Sequence, residues 1–277
     1  MTNRCSLRPE KMQPAAAELA DALWVQTQDI AAREAEREPR MAAMLSEIVL
    51  SRRTLGQAIA VRLAQRLSCN DFPRPELESL IHSVLEEDPS LVACIATDLQ
   101  AVVDRDPASH TPLTPLLFYK GFHALCTHRI AHALWTQRRE LPALLLQSMC
   151  SEVFGIDIHP AARMGCGIML DHGTGIVIGE TAIVENNVSM LHEVTLGGTG
   201  KEFCDRHPVV RSGVLIGAGA KVLGRVEIGD GAKIAASSVV LDDVRPHTTV
   251  AGVPAVEVGA SAADQTDPAF CMHQSIK

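Results

Sequence analysis

The chain has 277 residues, a formal net charge of −8 and only 3% aromatic residues, and this length suits one large domain or two ordinary ones. The acidic balance and the lack of a basic stripe predict no binding to nucleic acid. No apolar run reaches the roughly 18 residues of a membrane span, and residues 1–10 show no secretory signal. Because the eight cysteines form no CxxC pair, we expect reduced thiols in a cytoplasmic protein.

Residues 1–154 are predicted to form an all-helical domain, with a frayed start over residues 1–14. Apolar side chains recur there at helical spacing, and prolines interrupt the pattern. Asp88 followed by Pro89 indicates a helix start, since a capping acid precedes a proline at the first helical position. The predicted helices cover residues 15–38, 40–67, 77–85, 91–103, 116–138 and 142–154.

Residues 158–245 carry a six-residue repeat, and we predict a β-helix domain over residues 155–258. The first position of twelve hexads is always apolar, and the fifth is mostly small or β-branched. Such a repeat is typical of a parallel β-helix, in which three hexads make one triangular coil and each coil buries its apolar row against its neighbours. The first positions are Ile158, Met164, Leu170, Ile178, Val184, Met190, Val210, Ile216, Val222, Ile228, Ile234 and Val240.

The hexads fail at about residues 197–209, and the repeat ends after Pro246. The interruption is rich in glycine and carries Arg206 and His207. Glycines permit a close ligand approach, and loops on a rigid scaffold commonly carry function. We therefore predict a loop excursion that belongs to a functional site, and a flexible tail over residues 259–277.

Two histidines of the repeat are candidates for chemistry. His192 occupies the same hexad position as His172, twenty residues later. If residues 176–177 are a two-residue insertion, the two rings stack one coil apart. Three interpretations remain open at this point: surface or trimer-contact imidazoles, a zinc site, and a general base whose tautomer a carboxylate fixes.

Zinc is the least favoured of the three. Zinc-binding hexapeptide scaffolds use three histidines, of which two are a few residues apart. The histidines at 159, 172, 192 and 207 are separated by 13, 20 and 15 residues, and no Cys/His cluster is present. The sequence therefore predicts no metal.

Seven short motifs between residues 104 and 208 are more specific than the hexads, and they belong to a likeness that runs from about residue 15 to 258. Together they resemble the serine O-acetyltransferase family of hexapeptide-repeat acyltransferases. The motifs are DRDPA at 104–108, KGFHAL at 120–125, DIHP at 157–160, LDHGTG at 170–175, IGET at 178–181, VTLGGTGK at 194–201 and DRHP at 205–208.

The resemblance implies an α+β protein whose β-helix winds left-handed. It implies acetyl transfer from acetyl-CoA to the hydroxyl of L-serine, which gives O-acetyl-L-serine for cysteine biosynthesis, and feedback inhibition by L-cysteine. It also implies a trimer with active sites between subunits, and helical domains that join two trimers. Some members bind O-acetylserine sulfhydrylase through a terminal isoleucine, whereas here Lys277 follows Ile276.

The same resemblance implies roles for residues around the amino-acid acceptor. His172 would be the general base, and Asp157 would hold its imidazole as a carboxylate does in other His–acid pairs. A zwitterion needs opposite charges at its two ends. The ammonium would be received by Asp106 and Asp171, and the carboxylate by Arg206 and His207.

The cofactor residues follow from the same family. The pantetheine arm would lie along the β-helix near Gly198, Ala218 and Ala236, with Lys233 near a phosphate. Structural alternatives exist, because Asp106 before Pro107 could simply end a helix and Lys233 could be a surface residue. Residues 235–238 read AASS where the family usually has GAGS.

Three other functions compete with this interpretation. An acyltransferase on the same scaffold could use a sugar or another amino acid as acceptor. A zinc-dependent hydratase and a non-catalytic binding protein that acts through the tail are the others. Acceptor assays, metal analysis and co-purification with and without residues 268–277 separate them.

Overall fold

The computed structural model describes residues 14–200, 204–261 and 267–275. Residues 1–13, including most of the stretch predicted to be frayed, lie outside the described residues. The same holds for Ile276 and Lys277, on which the prediction about partner docking depends.

The first part of the chain is helical, as the apolar spacing predicts. None of the described helices is long and apolar enough to cross a membrane. The helices are α1 (Pro14–Arg37), α2 (Ala42–Leu45), α3 (Leu55–Leu67), α4 (Arg74–Glu87), α5 (Pro89–Arg105), α6 (Leu113–Phe118), α7 (Lys120–Thr136), α8 (Glu140–Phe154) and α9 (Pro268–Cys271), with a 3₁₀ turn at Pro39–Met41 and a π turn at Ser46–Leu50.

Two predicted helices are each divided. The one expected over residues 40–67 stops near Ser51 and restarts at Thr54, whose hydroxyl accepts a hydrogen bond from the Gln57 backbone N–H. This cap satisfies a free backbone N–H at the start of a new helix. The helix therefore ends and restarts here, although the apolar stripe continues through both parts. The helix expected over residues 116–138 begins three residues earlier and breaks at Tyr119, which is extended with ψ 110°.

The β-helix consists of three parallel sheets, one on each side of a triangle. Sheet A has the order β1-β4-β7-β10-β13, sheet B β2-β5-β8-β11, and sheet C β3-β6-β9-β12-β14-β15. The strands are β1 (Asp157–Ile158), β2 (Arg163–Met164), β3 (Met169–Leu170), β4 (Val177–Ile178), β5 (Ile183–Val184), β6 (Ser189–Met190), β7 (Thr195–Gly197), β8 (Val209–Val210), β9 (Leu215–Ile216), β10 (Lys221–Leu223), β11 (Glu227–Ile228), β12 (Lys233–Ile234), β13 (Val239–Val240), β14 (Thr248–Gly252) and β15 (Ala255–Ala260).

The apolar first positions stack between coils, which confirms the predicted fold class. Ile158 pairs with Ile178, Leu170 pairs with Met190, and this column continues through Ile216 and Ile234. The first-position side chains are buried apart from the half-buried Met164. Among the strand pairs of the described residues, only the last one, β14 with β15, is antiparallel.

The predicted insertion at residues 176–177 is misplaced. Val177 pairs with Thr195 in sheet A, so both residues belong to the regular coil. The two extra residues lie in the corner between Asp171 and Ile176. Ile176 is fully buried and takes the inward position that the hexad phase assigned to Thr174, which is exposed. The loop between β7 and β8 agrees with the predicted excursion.

A buried ion pair fixes the helical domain to the first coil. Arg129 of α7 donates to both carboxylate oxygens of Asp98 on α5, at 2.6 and 2.9 Å, and also to the Gly165 carbonyl at 2.7 Å. Asp98 in turn accepts from the Ile168 backbone N–H at 2.9 Å. A buried pair with this many hydrogen bonds is sensitive to loss of either partner, because the other charge is left unpaired.

A disulfide joins the same two regions and corrects the expectation that all cysteines are reduced. Cys94 of α5 and Cys166 of the first coil are bonded, with a Cα–Cα distance of 5.2 Å. Packing of α5 on the corner places the two Cα atoms within the range that a disulfide requires. In the described chain the cysteines at 69, 126, 150, 204 and 271 are free.

The described part of the tail lies on sheet C. The Ser189 hydroxyl donates to the Ala269 carbonyl at 2.9 Å, and the Arg105 guanidinium lies 4.5 Å from the Phe270 ring centroid. Lys233 Nζ donates to the Ser275 carbonyl at 2.7 Å. Residues 267–275 of the tail that the sequence predicts to be flexible therefore have defined contacts.

We expect the free energy of unfolding to decrease as the pH falls from 6.5 to 4. Burial lowers the pKa of His123 from 6.5 to about 4. In this window the His123 ring takes up a proton in the unfolded chain but is largely neutral in the folded chain. The free energy of unfolding is therefore lower by about 3 kcal/mol at pH 4. Above pH 6.5 both states are neutral at this ring and this difference vanishes.

Urea unfolding of the wild type and His123→Gln at pH 7.5 and 4.5 measures this contribution. The variant removes the titrating ring but keeps a polar side chain near the Leu116 carbonyl that His123 contacts at 2.8 Å. A smaller loss between the two pH values is expected for the variant. An equal loss in both proteins would contradict the assignment.

Candidate active site

His172 heads a column of side chains at the corner between sheets C and A. His172, His192, Ala218 and Ala236 each follow by two residues one of the stacked positions of sheet C. The rings of His172 and His192 lie 5.8 Å apart at an interplanar angle of 72°. The predicted stacking of the two histidines is therefore confirmed, and two predicted cofactor residues continue the same column.

The corner that carries His172 has an unusual backbone. His172 has a φ of +56°, and Gly173 and Gly175 have φ of +73° and +75°. A left-handed conformation is uncommon for a non-glycine residue, and such positions cluster at functional sites. The two extra residues of this corner provide the turn, and the His172 side chain is 73% exposed.

Helix α7 packs directly against this coil. At Gly121, which follows the first residue of the helix, a β-carbon would overlap the Leu170 carbonyl. The glycine of the KGFHAL motif therefore has a steric reason: it lets the helix approach the strand that leads into Asp171 and His172.

An acidic cluster faces His172. Asp171 Oδ1 lies 3.8 Å from His172 Nε2, which is too long for a hydrogen bond. Burial raises the pKa of the Asp171 carboxyl; His172 opposes this shift, and the negative charge of Asp106 adds to it. Asp106 also ends α5, and its Oδ1 accepts from the Ala108 N–H at 2.8 Å. The alternative that Asp106 ends a helix therefore holds, and its role in binding an ammonium group stays a prediction.

Tyr119 belongs to this cluster and was missed in the sequence. Burial raises the pKa of its hydroxyl, and the neighbouring Asp106 and the charge of Asp171 raise it further. The break between α6 and α7 places Tyr119 here, whereas the apolar spacing had put it inside a continuous helix. Its position directly before the KGFHAL motif was the only signal available.

Asp157 has a different partner from the predicted one. Gln147 Nε2 of α8 donates to Asp157 Oδ1 at 2.7 Å. The ion pairs within 4 Å in the described residues do not include Asp157 with His172. Its assignment as the carboxylate that orients the base stays a prediction.

Arg206 and His207 form a second cluster, at the corner between sheets A and B. Arg206 Nη2 bonds Glu180 Oε2 at 2.7 Å. The Thr181 hydroxyl accepts from the backbone N–H groups of both loop residues, at 3.0 and 3.1 Å. His207 Nδ1 lies 2.9 Å from the same hydroxyl oxygen. Thr181 therefore anchors the returning end of the excursion.

Arg206 supplies a positive charge to this second cluster, and Glu180 is its ion-pair partner. The hydrogen bond from Arg206 lowers the pKa of Glu180. Burial first, and then the positive charge of Arg206, lower the pKa of His207. His207 lies over Gly179, where a β-carbon would overlap its ring, so the small residue makes room for the imidazole.

The two clusters do not meet within one chain. His172 precedes β4 of sheet A, whereas Arg206 and His207 contact the residues that follow β4. Gly198 lies on the second corner as well, because it follows Leu196 as Glu180 follows Ile178. The predicted site residues are thus divided between two corners of the triangle.

The tail covers Lys233. This lysine points outward from sheet C, is 7% exposed, and donates to the carbonyls of Ser275 and His273 at 2.7 and 3.4 Å. Its ammonium group is therefore bonded to the protein itself. Among the described residues, no group of three or more His, Cys, Asp or Glu side chains has the geometry to hold a metal ion.

Comparison with known proteins gives the same assignment over both domains. Residues 23–127 match the sequence model for "Serine acetyltransferase, N-terminal", and residues 207–242 match "Bacterial transferase hexapeptide (six repeats)". The serine acetyltransferase of Escherichia coli K12 is 51% identical over 240 residues, which cover 87% of each chain.

Solved structures of similar proteins extend over nearly the same length. A serine acetyltransferase in complex with cysteine has a TM-score of 0.90 at 48% identity, covering 92% of this chain and 99% of that one. The soybean enzyme with serine has 0.85 at 48%, covering 87% and 99%. The Brucella abortus enzyme with coenzyme A has 0.86 at 47%, covering 88% and 98%.

Identity near 50% over most of each chain accompanies the same architecture, a helical domain followed by a left-handed parallel β-helix of hexapeptide repeats. The chain is an acyltransferase that uses acetyl-CoA as its co-substrate. It belongs to the serine acetyltransferase family.

Proposed function

We propose that this protein transfers the acetyl group of acetyl-CoA to the hydroxyl of L-serine, giving O-acetyl-L-serine and CoA. The serine and coenzyme A complexes of relatives that cover almost the whole chain support this substrate pair. The observation that carries the proposal is the placement of His172 beside an acidic cluster and at the head of the column that continues to Ala218 and Ala236.

His172 acts as the general base in this proposal. Its imidazole takes the hydroxyl proton of serine as the hydroxyl oxygen attacks the thioester carbonyl carbon. The tetrahedral intermediate then expels the CoA sulfur, which receives the proton back from the imidazolium. Asp157 orients the ring from the neighbouring strand, and Gln147 holds that carboxylate in place.

Charge complementarity selects an amino acid as the acceptor. Asp106 and Asp171 offer negative charge to the ammonium group, close to the base. The carboxylate of serine binds Arg206, whose guanidinium fork suits paired hydrogen bonds, with His207 beside it. A sugar acceptor has no ammonium or carboxylate group to offer these charges.

The separation of the two clusters supports an active site between subunits. One protomer supplies His172 with its acidic cluster, and its neighbour supplies Arg206 and His207. A ring of three subunits repeats this contact three times and closes. Contacts between helical domains then join two trimers.

The cofactor path follows the column above His172. The pantetheine arm lies along Ala218 and Ala236, with Gly198 of the adjacent corner contributing its backbone. Lys233 reaches a phosphate only after its bond to the Ser275 carbonyl is released. The tail therefore influences cofactor binding, and we assign any docking of O-acetylserine sulfhydrylase to the tail as well.

Acetyl-CoA with L-serine is expected to release free thiol, whereas homoserine and aminosugars are expected to give little. L-cysteine differs from serine by sulfur for oxygen, so it should inhibit in competition with serine. Thiol release and mass detection of the product measure both effects. A preference for another acceptor would overturn the choice of serine, and non-competitive inhibition would overturn the shared site.

His172→Ala is expected to lower kcat by at least about 10²-fold, the scale of general-base assistance. The side chain is 73% exposed, so the thermal midpoint of unfolding should stay unchanged. Steady-state kinetics with the thiol-release assay measures the effect. Wild-type activity in a folded variant would remove His172 from the mechanism.

Mixing two inactive variants tests the intersubunit site. His172→Ala and Arg206→Ala proteins are each expected to be poorly active at low serine concentration. When the two are co-expressed, about one interface in four combines an intact His172 with an intact Arg206 from its neighbour. Recovery to about one quarter of wild-type activity is expected. Activity no greater than the mean of the separate variants would show that one chain holds the whole site.

A further inference from the structure

The loop excursion replaces one corner of the β-helix. In the third coil the chain leaves sheet A at Gly197 and enters sheet B at Val209. The same corner is formed by residues 179–182 in the coil below and by residues 224–226 in the coil above. Because neighbouring coils lie about 5 Å apart, the lower and upper corners are separated by roughly 10 Å, with the excursion in place of a regular corner between them.

Arg225, on the upper corner, spans this gap. Its Nη1 donates to the His207 carbonyl at 3.1 Å and to the Thr181 carbonyl at 3.5 Å, and its Nη2 lies 3.6 Å from Asp205 Oδ2. A guanidinium offers its donors in a fixed planar fork, so one side chain can hold several acceptors at once. Arg225 therefore joins the upper corner both to the lower corner and to the returning end of the excursion.

These contacts lie on both sides of Arg206. Asp205 and His207 are its neighbours in the chain, and its own N–H donates to the Thr181 hydroxyl at 3.0 Å. The stem of the Arg206 side chain packs over Gly198, where a β-carbon would lie 3.3 Å from Cγ. The backbone of this segment is thus held from above and from below, and this fixes the direction in which the Arg206 side chain leaves it.

The backbone that carries Arg225 is itself fixed. The Gly224 N–H donates to the Gly197 carbonyl at 2.9 Å. Gly224 has a φ of +93°, and a β-carbon there would lie 3.3 Å from the Thr199 methyl group. The upper corner therefore also contacts the departing end of the excursion, and the Arg225 side chain starts from a defined position.

We propose that Arg225 is a positioning residue for binding the carboxylate of the acceptor. It holds residues 205–207 so that Arg206 and His207 present their side chains together. Since its own donors are directed at protein oxygens, Arg225 acts through Arg206 and not on the substrate. The inference rests on the proposed function, because it assigns a role within the same acceptor site.

The expected effect is on acceptor binding and not on the chemical step. A hydrogen bond from a charged group is worth on the order of 10-fold in an equilibrium constant. Arg225→Ala should therefore raise the KM for serine about 10-fold, and kcat and the KM for acetyl-CoA should stay unchanged because His172 lies at the other corner. Arg225→Gln is too short to reach both carbonyls and should raise the same KM. Steady-state kinetics with the thiol-release assay measures both variants.

Arg211→Ala is the matched control. Arg211 also links the coils below and above, through Glu185 at 2.6 Å and Glu227 at 3.0 Å, and both of these partners lie outside the excursion. Its kinetics should match those of the wild type. A wild-type KM for serine in Arg225→Ala, a loss confined to kcat, or an equal rise of KM in Arg211→Ala would overturn the positioning role.

A double variant separates positioning from a purely structural part. In an Arg206→Ala background, Arg225→Ala should raise the KM for serine by less than about threefold more, since the residue through which Arg225 acts is already removed. Fold increases that multiply would show that Arg225 acts independently of Arg206, and this would contradict the proposal.

Arg225→Gln keeps the test decisive if Arg225→Ala fails to fold, because a wild-type KM for serine in the glutamine variant would overturn the proposal. The wild type separates the two levels of inference. No serine-dependent thiol release in the wild type would overturn both. An active wild type whose KM for serine rises in Arg206→Ala but not in the Arg225 variants would overturn only the role of Arg225.

Discussion

The register of hydrogen bonds between successive coils is the constraint on which the site depends. Each strand is only two to five residues long apart from β15, and it is held by pairing with the coils above and below. Because of this register, residues at equivalent positions of successive coils lie one above the other in a column. His172, His192, Ala218 and Ala236 become neighbours in this way, so a shift of one residue in any coil would remove a side chain from the column.

The helical domain supplies side chains beside His172 that the coils alone do not provide. The β-helix alone presents His172 on an exposed corner, with one carboxylate nearby. The ion pair between Asp98 and Arg129 fixes α5 and α7 to the first coil. The end of α5 then brings Asp106 to the same corner, and the start of α7 brings Tyr119. The second carboxylate beside the base is thus present because the helical domain packs against the β-helix.

Prediction succeeded where a pattern is local and failed where it is not. The hexad phase predicted the stacked positions, and the motif at 170–175 predicted the acidic corner. The same phase put the two-residue insertion at 176–177, because an exposed Thr174 and a buried Ile176 both fit a loose small or β-branched column. The disulfide between Cys94 and Cys166 joins residues 72 apart in sequence, and no spacing rule indicates it.

The sequence by itself determined the helical domain, the β-helix, the excursion and the candidate residues, because periodicity, caps and motifs are properties of neighbouring residues. Only the tertiary structure decided how those residues are divided. It placed His172 with Asp171 and Tyr119 at one corner, and Arg206 with His207 at another. It also placed the tail on Lys233. These relations depend on how helices pack against coils and how the chain turns around a triangle, and such long-range packing leaves no periodic trace in the sequence.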